Sequence, residues 1–125
     1  MKEPAPPVAD TTAVRAALPE SLREDWSRIE ALVQGIRAAL AADEFETARE
    51  LAREHAGRIT SLVDGFATNA LAQELRAQAL MLLLATTDEL QHAAQDRLLA
   101  TALDASNARE RRRGIDAYHA QQEPS

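Results

Sequence analysis

The chain has 125 residues, room for one domain, and carries 27 alanines and 16 leucines against four isoleucines, four valines and four aromatics. Alanine and leucine head the helix scale while strands favour the scarce types, and residues 20–123 hold no proline, so β and α/β folds are excluded and an all-α bundle is expected. Twenty acidic against fourteen basic side chains give a net charge of −6, the wrong sign for general nucleic-acid binding, and the lack of cysteine excludes disulfides and thiolate metal sites.

Residues 1–18 read as a Pro-rich tail followed by a short helix, with Asp10, Thr11 and Thr12 as capping candidates and Pro19 as its end. From there a single helical domain is expected over 19–121, with a tail at 122–125. The first long helix, Pro19 to Ala42, places Leu22, Trp26, Ile29, Val33, Ile36 and Leu40 at alternating steps of four and three, a heptad seam. Asp43 stands three residues before Glu46, a capping box for a second helix. Its inward positions are Phe45, Ala48, Ala52, His55, Ile59, Leu62 and Phe66. So short a connection makes the two an antiparallel hairpin. Gly65, Thr68 and Asn69 mark the next turn, with Thr68 or Asn69 as the following cap.

A third stretch starts near Ala70 and meets no proline until Pro124. At about 50 residues it reaches roughly 75 Å, twice the length of either partner. Beyond about residue 100 it must project, fold back as a fourth helix or bind something, and Asp104 to Asn107 is the expected place for a break. On a helical wheel one face carries Leu71, Leu75, Ala79, Leu82, Leu83, Leu90 and Ala94, the expected core side. The opposite side carries Leu80, Met81 and Leu84, then Leu99 and, at its margin, Leu103. Ile115 and Tyr118 return to the core-facing side past the end of the hairpin.

Chemistry is sparse. Glu89 with His92 and Asp116 with His119 are the nearest approach to the paired Glu-x-x-His motifs of di-iron bundles, but they lie too far apart on one helix to converge, so no metal site is expected. No nucleophile stands beside a base and no glycine-rich phosphate loop is present, so neither an enzyme nor a cofactor is expected. His55 falls inside the second seam and reads as a core-edge histidine with a hydrogen-bond partner, the alternative being a pH switch. Gly35 and Gly57 fall on the outer faces of their helices. The longest apolar run, Ala79 to Ala85, is too short for a membrane span, and MKEPAPP has no apolar signal region. A soluble, cytoplasmic protein is therefore expected.

Two features point to a protein partner. The uncovered apolar side chains Leu80, Leu84, Leu99, Leu103, Ile115 and Tyr118 are candidate binding positions, although a fourth helix or a twofold mate would bury the Leu80 and Leu84 cluster as plain core. Arg109-Glu-Arg-Arg-Arg113, which includes Arg112, reads either as cations set against the helix macrodipole or as a docking patch for an acidic surface.

The segment IRAALAADEFETARELAREH, Ile36 to His55, resembles a hairpin of the small flagellar type III export chaperones, in particular the FliT-like type that attends the filament-cap protein. In that pattern an alanine and leucine run leads into a short acidic turn, an aromatic and a helix opening with Glu and Leu; here Phe45 takes the place of the usual tryptophan. ALMLLLATTDEL, Ala79 to Leu90, and GIDAYHAQ, Gly114 to Gln121, are similar to the family's long last helix. The resemblance implies a cytoplasmic chaperone that holds a secreted axial protein monomeric through apolar positions on its last helices. It also implies that the C-terminal segment covers that surface until displaced. Leu80, Leu84, Leu99, Leu103, Ile115 and Tyr118 match only as apolar positions. The related chaperone of the hook and filament junction proteins, and a structural homodimer or adaptor without a secretion client, are the alternatives. Export-apparatus components are further expected partners; nucleic acid and membrane are not.

Overall fold

A computed structural model describes residues 11–122 of the chain. They form four helices, α1 (Thr11–Ala17), α2 (Glu20–Ala41), α3 (Phe45–Thr68) and α4 (Gln73–Gln122), with no strand among the described residues. Residues 1–10 and 123–125 of the expected tails, with the Asp10 cap, lie outside the described residues, and Gln122, expected in the C-terminal tail, is the last residue of α4.

Pro19 ends α1 and stands at the N-cap of α2 with φ −56° and ψ 149°, an extended conformation that turns the chain back on itself. Trp26 Nε1 donates to the Thr11 carbonyl at 3.2 Å, and Arg23 Nε donates to the Leu18 carbonyl at 2.8 Å. Val14 and Leu18 thereby pack into one core cluster with Leu22, Trp26, Ile29, Leu62, Phe66, Ala79 and Leu83. Within the described residues the packed unit thus begins at α1, ahead of the start expected at Pro19.

All six seam residues of α2 are buried, and so are Leu32 and Ala39 off that seam. A single seam serves a hairpin; α2 is covered from three directions, because α1, α3 and α4 all pack on it. Each large apolar side chain buried this way contributes about 1.5–3 kcal/mol, which makes α2 the organising element. Two glycines let α3 come close. A Cβ on Gly65 would lie 2.6 Å from Leu22 Cδ2, and one on Gly35 would lie 3.2 Å from Leu51 Cδ1. Gly35 therefore faces α3, correcting its assignment to an outer face.

The turns differ from the expected caps. Asp43 adopts φ 58°, and the amides of Asp43 and Glu44 bond back to the carbonyls of Leu40 and Ala39. Glu44 becomes the N-cap of α3 without a side-chain cap bond, so the Asp43–Glu46 capping box does not form. At the other end α3 runs through Thr68, and Asn69 terminates it: its Nδ2 donates to the Gly65 carbonyl, and Ser21 Oγ donates to its Oδ1. Asn69 and Thr68 close α3 where they were expected to open the next helix, which starts only at Gln73.

α4 is one unbroken helix of 50 residues, about 75 Å long. The break expected at Asp104 to Asn107 is absent; the flanking alanines are the strongest helix formers, and α4 holds no proline and only Gly114. Leu83 packs beside Trp26 and Ile29, and Leu90 packs beside Val33, Ile36 and Leu40, so α4 runs parallel to α2. Its covered half ends where Arg97 reaches the α2–α3 turn, Nε to Asp43 Oδ1 at 2.6 Å and Nη2 to Oδ2 at 2.8 Å. Both partners are solvent-accessible, and the Arg97 hydrogen bond holds the Asp43 carboxyl below its ordinary pKa.

Candidate functional site: an apolar groove between α3 and α4

α3 and α4 each pack on α2, but between them an apolar groove of about 620 Å³ stays open. Ile36 and Leu40 of α2 form its floor; Phe45, Ala48, Ala52 and Ile59 line one wall, and Leu84, Leu90, Ala94 and Leu98 the other. Its origin is the alanine content. Where α3 turns Ala48, Ala52 and Ala56 toward α4, and α4 answers with Thr87 and Ala94, the side chains are too short to meet. Four of the seven expected inward positions of α3 are buried, whereas Phe45 and Ile59 are half-buried and Ala52 is exposed, because the groove opens there. Lengthwise the groove follows α4 from Leu84 to Leu98, about 21 Å, or four turns of helix.

His55 sits at the bottom with 5% of its surface exposed, bordering both the groove and a smaller cleft of about 150 Å³ between α2 and α4. Its Nε2 has no hydrogen-bond partner, so the partner expected for a core-edge histidine is missing at that nitrogen. Burial lowers the imidazole pKa below its ordinary value of 6.5. The ring is therefore neutral near pH 7, an adaptable polar spot in an apolar wall.

The expected site residues separate into three places. Leu84 lines the groove. Leu80, assigned to the outward side with it, is half-buried and packs on the first core cluster. Leu99, Leu103, Ile115 and Tyr118 are exposed on the distal half of α4, as is Arg112. Leu99 and Leu103 lie about 100° or more around the helix from Leu98, so they do not join the groove. Leu98 is the residue the sequence reading missed. It lies within about 80° of Leu83, Leu90 and Ala94 on the helix surface, on a stripe that runs on, after two successive steps of four ending at Leu98, through Thr101, Ala105, Ala108 and Arg112 to Ile115. Leu83 and Leu90 are buried and Ala94 half-buried, while every member from Leu98 onward is exposed.

Among the described residues no three His, Asp or Glu side chains are grouped to hold a metal ion, and no helix is long and apolar enough to cross a membrane. What the groove can do chemically is bury apolar side chains. No protein-family model, curated protein or solved structure matches the chain.

Proposed function

We propose that the chain is a helix-binding chaperone, and specifically a cytoplasmic flagellar type III export chaperone that keeps a secreted axial protein monomeric. The observation that carries this reading is the open 620 Å³ apolar groove between α3 and α4, which is continuous with the uncovered stripe of α4. An amphipathic helix laid into such a groove buries side chains at i, i+3, i+4 and i+7 and gains affinity from apolar burial without covalent chemistry. The flagellar assignment comes from the resemblance of Ile36 to His55, which forms the end of α2, the turn and the first half of α3; its aromatic, Phe45, lines the groove. The filament-cap protein is the first candidate client and the hook and filament junction proteins are the second.

Calorimetric titration of the purified chain with each flagellar axial protein tests the reading. Leu84→Asp with Leu98→Asp, two exposed positions on the groove wall, is expected to weaken capture at least a hundredfold while leaving helicity unchanged. Leu99→Asp with Leu103→Asp is expected to leave it within threefold. The reverse pattern moves the site to the far face of α4, and no binding by any axial protein overturns the chaperone assignment.

A further inference from the structure

The α3 wall of the groove is apolar except at two side chains, Arg49 and His55, which stand six residues and about 9 Å apart along the helix. Residues 11–98 carry nine basic and fourteen acidic side chains, a net of −5, yet among the described residues none of those carboxylates lines the groove. They are engaged elsewhere: Glu54 of α3 accepts from Arg28 Nη2 at 2.6 Å, and Glu89 of α4 accepts from Arg37 Nη2 at 3.1 Å, both bonds reaching across to α2. Arg49 is therefore the one lining side chain among the described residues that is charged near pH 7. Its acidic neighbour Glu46, one turn back on α3, lies 3.8 Å from Nη1, outside hydrogen-bond range, and both side chains are exposed, so their pairing is weak. The positive end of the α3 dipole adds to Arg49, because Glu44 gives the first turn no side-chain cap and Phe45, where the helix begins, lines the same end of the groove.

His55 marks the second point. Its imidazole is buried, and Nε2 has no hydrogen-bond partner among the described residues. A buried polar group of this kind is costly until it is satisfied, and the chain itself does not satisfy it. A neutral imidazole presents one donor and one acceptor, and a hydroxyl can match either. We propose that the groove selects an acidic amphipathic helix: a carboxylate of the docked partner pairs with Arg49, and a serine or threonine hydroxyl seven residues from it bonds the imidazole of His55, with apolar side chains around both. Seven residues is the spacing that keeps two positions on one face of a helix and sets them about 10 Å apart, close to their separation on α3. The inference rests on the groove being a helix site, as proposed above, but on no particular client. Apolar burial supplies the affinity and the two polar contacts supply the selection, since a partner with lysine opposite Arg49, or an apolar side chain opposite His55, loses at each.

Fluorescence anisotropy of the full chain with synthetic helical peptides of about 18 residues tests this; each carries leucines along one face, with serine in that row and glutamate seven residues before or after it. At low salt the glutamate peptide is expected to bind at least fivefold more tightly than its lysine counterpart, a preference that shrinks as salt is added. Arg49→Glu, a substitution at an exposed position, should reverse the preference, with helicity unchanged by circular dichroism. Replacing the peptide serine by alanine should weaken binding about threefold in the parent and leave it unchanged in His55→Leu. Equal affinity for the glutamate and lysine peptides overturns the proposal, as does a preference that survives Arg49→Glu or an alanine peptide that binds the parent as tightly as the serine peptide. A peptide copying residues 99–122 that binds more tightly than any of these makes the chain its own occupant and overturns it as well. Axial-protein capture that depends on Leu84 and Leu98 but not on Arg49 removes this inference alone; peptide preferences that hold while no axial protein is captured remove the flagellar reading alone.

Discussion

Residues 73–98 and 99–122 of α4 belong to one helix and share one stripe along its surface, yet they live in different surroundings. The first half lays Ala79, Leu83 and Leu90 onto α2, where they are nearly or fully buried, and is tied at its end by Arg97 to Asp43. In the second half the large apolar side chains are exposed: Leu99, Leu103, Ile115 and Tyr118 keep more than half of their surface among the described residues. Pattern alone does not distinguish the two. What separates them is the reach of the α2–α3 hairpin, whose helices of 22 and 24 residues end about 36 Å along a helix twice that long. The comparison shows that a hydrophobic stripe predicts burial only as far as there is something opposite to bury it.

Substitutions on either side of that boundary should have unequal effects. The largest is expected from Leu83→Ala, which opens a cavity between α2 and α4 and should lower the unfolding free energy by about 2–5 kcal/mol in urea titrations. Ile115→Ala, the same kind of truncation in the arm, should stay within about 0.5 kcal/mol at concentrations where the chain is monomeric. Next comes His55→Leu. Removing a buried nitrogen without a partner should stabilise the bundle by about 1 kcal/mol. It should also flatten the pH response. The folded pKa lies below 6.5, so on acidification the unfolded chain takes up its proton first, and stability held above that pH declines as pH falls through 6.5 toward the folded value. Urea midpoints at pH 7.5 and 5.5 should therefore differ less in the variant than in the parent.

Two glycines sharpen the contrast further. A methyl group on Gly57 or on Gly114 meets nothing within 4 Å, so alanine at either site brings only better helix propensity, at most about 1 kcal/mol. Gly57→Ala should raise the global unfolding midpoint; Gly114→Ala should leave it unchanged and instead slow amide exchange between about residues 110 and 118. The smallest effect is expected from Arg97→Gln, which breaks an accessible ion pair. It should loosen exchange protection near residues 90–97 at low salt and do nothing measurable at high salt.

The helical architecture was legible because the α2 seam is written in large side chains, Trp26, Ile29, Val33 and Ile36 among them, at alternating steps of three and four that only a helix gathers onto one face. α3 was legible at Leu62 and Phe66 for the same reason. The groove was not, because its walls are made of alanines, and an alanine at an inward heptad position reads the same whether a neighbour touches it or not: Ala48 is buried, Ala52 is exposed. The cap assignments failed where tertiary contacts claimed the same side chains, Asp43 by Arg97 and Asn69 by Ser21. Leu80 was misplaced by a wheel that allowed for α2 and α3 and not for α1, whose Val14 and Leu18 widen the core beside it.

The unbroken passage of α4 out of the bundle has a thermodynamic consequence. An isolated peptide of 24 residues must nucleate its own helix, a step with a probability of about one in a thousand before propagation can begin. The distal segment never faces that step, since its first turn is templated by residues already held against α2. On that ground its unfolding is expected to run from the end far from the bundle inward, and it presents its stripe already helical. Whatever it docks against collects the binding energy without first ordering a chain.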